Sequence, residues 1–148
     1  MSDTEKDTQE KQFSVGIAGY GTVGKLRHRF IDTHPNLQVV AISDVGFTEP
    51  QAPRPNGVNC FEDYQHLLQE SLDILFVCLP NNLAPDATIG GLECGFHVFC
   101  EKPPGRSVED IERVIACEKY HPGQKLMYGF NHRYHDSIRE AMRIIKSG

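Results

Sequence analysis

Short apolar runs alternate with longer amphipathic stretches along this chain, and that alternation sets the expected architecture. Phe13–Ala18 is a β-prone run that ends at glycines, and Leu37–Ser43 (LQVVAIS) is a second. Asp73–Leu79 (DILFVCL) is a third, closed by Pro80. His97–Cys100 and Lys125–Tyr128 complete the set, with a short further strand possible near Val58–Cys60. Between them, Val23–Thr33 reads as a helix stopped by Pro35, and Asp63–Glu70 as another. Leu83–Cys94 is amphipathic but weakened by Gly90 and Gly91. Val108–Tyr120 is a strong helix, with Ser107 as N-cap and Asp110 at N3. Ser137–Lys146 is a last amphipathic helix. Strands alternating with helices in this way predict βαβ units and a mainly parallel sheet. VVAIS and DILFVCL are apolar on both faces, as strands sandwiched between two helix layers must be. Gly46–Asn56, with Pro50, Pro53 and Pro55, cannot be a regular helix and is expected to be a loop.

Composition narrows the class. The chain has 148 residues, 39% hydrophobic and 24% charged, which suits one globular domain. A formal net charge of −5 gives no reason to expect nucleic acid or an anionic membrane as partner. No apolar run approaches the roughly 18 residues of a membrane helix. Met1–Gln12 is polar and has no apolar core like that of a signal peptide, so it is expected to be a disordered arm. Five cysteines, none spaced C-x-x-C, fit reduced thiols in a cytoplasmic protein and give no metal site.

The strongest motif is Gly19-Tyr20-Gly21-Thr22-Val23-Gly24, a G-x-G-x-x-G that follows an expected strand and opens an expected helix. Gly19 would permit the tight turn. Gly21 would let the backbone approach a pyrophosphate, and Gly24 would let helix and strand pack closely. The helix N-terminus would then offer free N–H groups to the phosphates. The same glycines also suit a turn with no ligand. Asp44, at the end of the second run and twenty residues after Gly24, favours the ligand. A carboxylate there accepts hydrogen bonds from the ribose hydroxyls of NAD and repels the 2′-phosphate of NADP. Alternatively, it only caps a turn before Gly46. The expected fold is thus α/β, a doubly wound, mainly parallel Rossmann sheet with helices on both faces, residues 13–148.

Three further groups lie at strand ends. Glu101-Lys102-Pro103-Pro104 follows the fourth strand, where such sheets place their ligands. Lys102 there can hold a substrate oxygen, or form a surface pair with Glu101, and the bond before Pro103 can be cis. Pro80-Asn81-Asn82 either lines the cofactor crevice or makes an ordinary turn. His132 and Arg133, in Tyr128–Tyr134, either face substrate or pack as a linker under the last helix.

Taken together, GIAGYGTVG (16–24), VVAISDV (39–45), ILFVCLPNN (74–82), GFHVFCEKP (95–103) and YGFNHRY (128–134) resemble the N-terminal domain of the glucose–fructose oxidoreductase / inositol 2-dehydrogenase / MocA family. The EKP motif after G-x-H-V is specific to that family; the glycine motif is not. The resemblance implies a two-domain oxidoreductase that moves hydride between NAD and a sugar, nucleotide-sugar or cyclitol, and that associates into homo-oligomers. It places Lys102, Asn131 and Arg133 near nicotinamide and substrate, and Asn81 in the cofactor pocket. Ala84 stands where the family often has His, and Pro104-Gly105-Arg106 replaces apolar residues. The family's second domain, with its catalytic His, falls outside these 148 residues, so no general base can be named. Two rivals remain. One is a standalone NAD(H) sensor or docking module. The other is an NADP enzyme in which Arg54 reaches the 2′-phosphate.

Overall fold

The computed structural model describes residues 11–47 and 57–148. Apart from Lys11 and Gln12, the expected N-terminal arm lies outside the described residues. So do residues 48–56 of the Pro-rich loop, Arg54 among them. Six strands run in chain order: β1 (Phe13–Ala18), β2 (Leu37–Ser43), β3 (Asn59–Phe61), β4 (Ile74–Val77), β5 (His97–Cys100) and β6 (Leu126–Tyr128). They form one sheet in the order β3-β2-β1-β4-β5-β6, with every pairing parallel. Among the described residues five α-helices accompany it: α1 (Thr22–Ile31), α2 (Tyr64–Leu67), α3 (Ala84–Glu93), α4 (Val108–Tyr120) and α5 (Asp136–Ser147).

The pleat of the strands divides the core in two. Val15, Ile17, Val39 and Ile42 point to the face that takes Ile31 of α1. Ala18, Ala41, Leu75, Val77, Val98 and Cys100 point to the other, which takes Leu67 of α2 and Ala84, Ala87 and Leu92 of α3. Both faces of the central strands are therefore buried, as their doubly apolar runs require. The paired glycines of α3 have a packing reason. A Cβ on Gly91 would stand 2.8 Å from Leu75 Cδ2 and 3.0 Å from Val98 Cγ2, so α3 lies closer to the sheet than any side chain would allow.

Most differences from the expected elements are at their ends. β4 is Ile74–Val77 rather than Asp73–Leu79, because Asp73 turns its carboxylate to the Ser14 N–H and hydroxyl at 2.9 Å each. The helix expected over 63–70 shrinks to one turn, with Asp63 accepting from Gln65 N at 2.8 Å. A 3₁₀ turn over Asn131–Tyr134, not expected from periodicity, follows β6. Ser107 caps α4 as expected, accepting from Asp110 N at 3.4 Å. All three members of Pro104-Gly105-Arg106 lie on the approach to that cap. There Asp110 Oδ2 accepts from Arg106 N at 3.0 Å, and a Cβ on Gly105 would stand 2.9 Å from Asp110 Cβ. No helix among the described residues is long and apolar enough to cross a membrane.

Candidate functional site: the carboxyl edge of the sheet

Because all six strands are parallel, every motif singled out at a strand end arrives at one edge. β1 delivers the glycine loop between β2 and β4, where the winding direction of the sheet reverses. Gly19 has φ +89° and packs on the β4 exit, where an added Cβ would stand 2.5 Å from the Cys78 carbonyl oxygen. A Cβ on Gly24 would collide with the Gly19 carbonyl oxygen, so α1 turns away immediately after the strand. Gly21 is different, since a Cβ there would meet nothing within 4 Å. It is the N-cap of α1, no side chain caps that end, and Gly21, Thr22 and Val23 are exposed. The first turn of the helix thus presents N–H groups and the positive end of its dipole to open space.

Asp44 leaves the end of β2 half-buried and joins two loops. Its Oδ2 accepts from Tyr20 N and its Oδ1 from Gly46 N, each at 3.0 Å. The carboxylate therefore does cap the turn before Gly46, and it also holds the glycine loop. Beyond it a cleft of about 490 Å³ opens at the ends of β2 and β3, walled by Leu79 and Leu83 on the β4 side. Pro80, Asn81 and Asn82 are exposed at the same edge, with the Pro80 carbonyl accepting from Leu83 N and Ala84 N.

Past β5 the two members of the Glu-Lys pair part company. Glu101 turns inward, accepting from Arg27 Nε of α1 at 2.6 Å, while the Arg27 guanidinium lies 5.0 Å from the Phe99 ring centre. Its other oxygen occupies the space a Gly129 side chain would need, 2.7 Å from the ideal Cβ. Lys102 is exposed, the Lys102–Pro103 peptide is cis, and Lys102 shares a cleft of about 460 Å³ with Asn131, His132 and Arg133. The 3₁₀ turn is what carries those three residues to the lysine. His132 stacks on His135 with ring centres 4.9 Å apart. Ala84, where the resemblance led one to look for His, is buried at the start of α3.

One contributor, Arg27, and one role of Tyr20 were not anticipated from the sequence. Arg27 shares the inner side of α1 with buried Gly24 and Ile31, so a cation within that spacing was the available signal. Tyr20, inside the glycine motif, bonds through its hydroxyl to His28 Nδ1 at 2.7 Å, which fastens the loop to the second turn of α1. Burial raises the Cys78 thiol to about 12, and burial also raises Cys100, so neither is a nucleophile at this edge. No group of three or more metal-ligating side chains occurs among the described residues.

The residues present fit a dinucleotide: an uncapped helix N-terminus, a glycine with free space above it, and a carboxylate at the second strand's end. Comparisons with known proteins agree. The family model described as "Oxidoreductase family, NAD-binding Rossmann fold" matches residues 13–130. D-glucoside 3-dehydrogenase of Escherichia coli is 33% identical over 138 residues, covering 90% of this chain and 39% of that protein. The uncharacterized oxidoreductase YrbE of Bacillus subtilis is 30% identical over 141 residues, covering 93% and 41%. Scyllo-inositol dehydrogenase from Lactobacillus casei, solved with bound NAD(H) and scyllo-inositol, superposes with a TM-score of 0.80 at 29% identity, over 93% of this chain and 42% of that one. The chain thus spans about two-fifths of the length of these relatives. It belongs to the glucose–fructose oxidoreductase / inositol 2-dehydrogenase / MocA family, as an NAD-binding Rossmann domain.

Proposed function

We propose that this chain is the cofactor half of an NAD-dependent dehydrogenase acting on a hydroxyl or ketone of a sugar, nucleotide-sugar or cyclitol. The observation that carries the reading is the convergence of Lys102 with Asn131, His132 and Arg133 in one cleft, on the same sheet edge as the glycine loop. In this reading the α1 N-terminus holds the pyrophosphate, with Gly19–Gly24 shaping its bed. Asp44 takes the adenosine ribose, and Pro80, Asn81 and Asn82 flank the crevice. Glu101 acts through its Arg27 pair, holding the turn that presents Lys102, and Arg133 borders the nicotinamide end.

When bound, the nicotinamide would supply the acceptor for the hydride of the carbinol carbon. The Lys102 ammonium donates a hydrogen bond to the carbinol oxygen and stabilises the negative charge that grows there. The hydroxyl proton leaves to a base that we place in sequence outside these 148 residues, with most of the substrate pocket. The matched relatives with assigned activities are named for catalysis, which favours an enzyme over a sensor module. A cytoplasmic setting and homo-oligomeric assembly of the intact protein belong to the same reading, supported respectively by the buried free thiols Cys60 and Cys100 and by the resemblance.

The test is an assay of the full-length gene product for NAD reduction with inositols, glucosides and nucleotide sugars, beside a fluorescence titration with NADH. Turnover on a member of that panel supports the reading. NADH binding with no turnover on any member points instead to the sensor.

A further inference from the structure

Ser43 pairs with Phe61 in the parallel ladder, and Asp44 N donates to the Phe61 carbonyl at 3.0 Å. Asp44 and Glu62 therefore leave neighbouring strands at the same level, about 5 Å apart by the strand spacing. Both line the cleft at this corner of the sheet, with Asp63 beside them and no Lys or Arg among its described lining residues. The three carboxylates differ in what they already do. Asp63 is taken up by the Gln65 N–H as the α2 cap. Asp44 accepts two backbone N–H groups, which offset part of its charge. Glu62 is exposed and makes no hydrogen bond or ion pair among the described residues, so its carboxylate is open to the cleft.

We propose that Glu62 is a second specificity-determining residue, which rejects a 2′-phosphorylated dinucleotide alongside Asp44. The inference rests on reading this crevice as the adenosine end of the dinucleotide site. Ribose hydroxyls bonded to Asp44 bring no charge toward Glu62. A 2′-phosphate in the same place is a dianion facing a second carboxylate on the next strand, with no Lys or Arg among the described lining residues to receive it. Because Asp44 also holds the glycine loop, Glu62 is the position where selectivity can change without disturbing that loop.

Calorimetric titration of the 148-residue chain with NADH and NADPH tests this. Glu62→Gln should tighten NADPH binding about threefold or more while moving NADH by less than about twofold, and the gain should fade as salt screens the cleft. Glu62→Lys should tighten NADPH by about tenfold, because it replaces a repelling charge with an attracting one. Glu112→Gln, on the exposed side of α4, should change neither. If Glu62→Gln and Glu62→Lys leave the NADH-to-NADPH ratio unchanged, the inference is overturned, and the site reading stands as long as wild type binds NADH. A wild-type chain that binds neither dinucleotide overturns both, and this is seen before any variant is made.

Discussion

Asp44 holds two loops at once, and in the proposed reading the same carboxylate also meets the ribose. Its two oxygens fix the Tyr20 and Gly46 N–H groups, so the glycine loop and the β2 exit are held as one unit before any cofactor arrives. Removing it should act on both cofactors in different ways. Asp44→Ala loosens the loop and weakens NADH, but it also removes the nearest repulsion against a 2′-phosphate. We expect the NADH preference over NADPH to narrow by about tenfold or more, a difference of roughly 1.4 kcal/mol or greater, read by titration of both. An unchanged ratio would remove Asp44 from the discrimination. Lys102 calls for a different measurement. It is exposed and lies in the Asn131–Arg133 cleft, away from the glycine loop in sequence and on another strand. In the full-length enzyme, Lys102→Ala should lower kcat by about a hundredfold or more, with NADH affinity changed by less than about threefold. Loss of cofactor binding with turnover retained would make it a cofactor anchor instead.

Contacts between elements account for what the sequence did and did not disclose. β1, β2, β5 and α4 lie where hydrophobic periodicity and the Ser107 cap put them, because each carries its own signal: two apolar faces, or a cap followed by a 3.6-residue repeat. The glycine loop and Asp44 were legible because their spacing is set by one β1-α1-β2 unit. Arg27 was not, since its partner Glu101 lies 74 residues away and only the β1-β4-β5 sheet order brings them together. Neither was the 3₁₀ turn that carries His132 and Arg133 to Lys102, because four residues hold no periodicity. The side chains of Arg27 and Glu101 are 23% and 13% exposed, so Arg27→Ala strands a carboxylate largely out of water. A loss of about 2 kcal/mol in urea unfolding is expected, mostly recovered by adding Glu101→Gln. Failure of the second change to rescue would assign Arg27's contribution to its stacking on Phe99. At the other end of that turn, the Arg106 N–H and then the Arg106 side chain hold the Asp110 carboxyl below its ordinary value. A lowered folded-state pKa gives stability that is present above the unfolded value, about 4, and lost as pH falls through the lowered one. Asp110→Asn should therefore melt below wild type at pH 7, and the gap should close below about pH 4. A gap of constant size across that range would assign the loss to packing rather than charge.

At the scale of the whole molecule, the two halves of the sheet edge are unequally finished. The dinucleotide side is built from buried strands, a packed glycine loop and a fixed carboxylate. The Lys102 side ends in residues 130–148, which are exposed throughout. Along α5, Ile138, Met142 and Ile145 recur at helical spacing with 43%, 46% and 71% of their surface open, and the helix buries none of its side chains. Binding and catalysis should separate accordingly. The 148-residue chain is expected to fold, because its six strands and the helices on both faces already enclose two apolar clusters within ordinary domain size. It is expected to bind NADH, because every group assigned to the pyrophosphate and adenosine ribose is inside it. It is expected not to turn over. Hydride transfer needs the carbinol carbon held about 3–3.5 Å from its acceptor and a group to take the hydroxyl proton. In the proposed reading Lys102 holds the carbinol oxygen rather than taking that proton, and the lysine cleft is lined mostly by exposed residues and open to water, which weakens each electrostatic contact in it. The measurement pairs an NADH fluorescence titration of this chain with an assay of NAD reduction on the same substrate panel used for the full-length gene product. Saturable NADH binding with turnover at least about a thousandfold below the full-length protein is the expected result. Comparable turnover by the chain alone would mean that a proton acceptor lies within these residues, with His132, beside Lys102 in the cleft, the first to substitute.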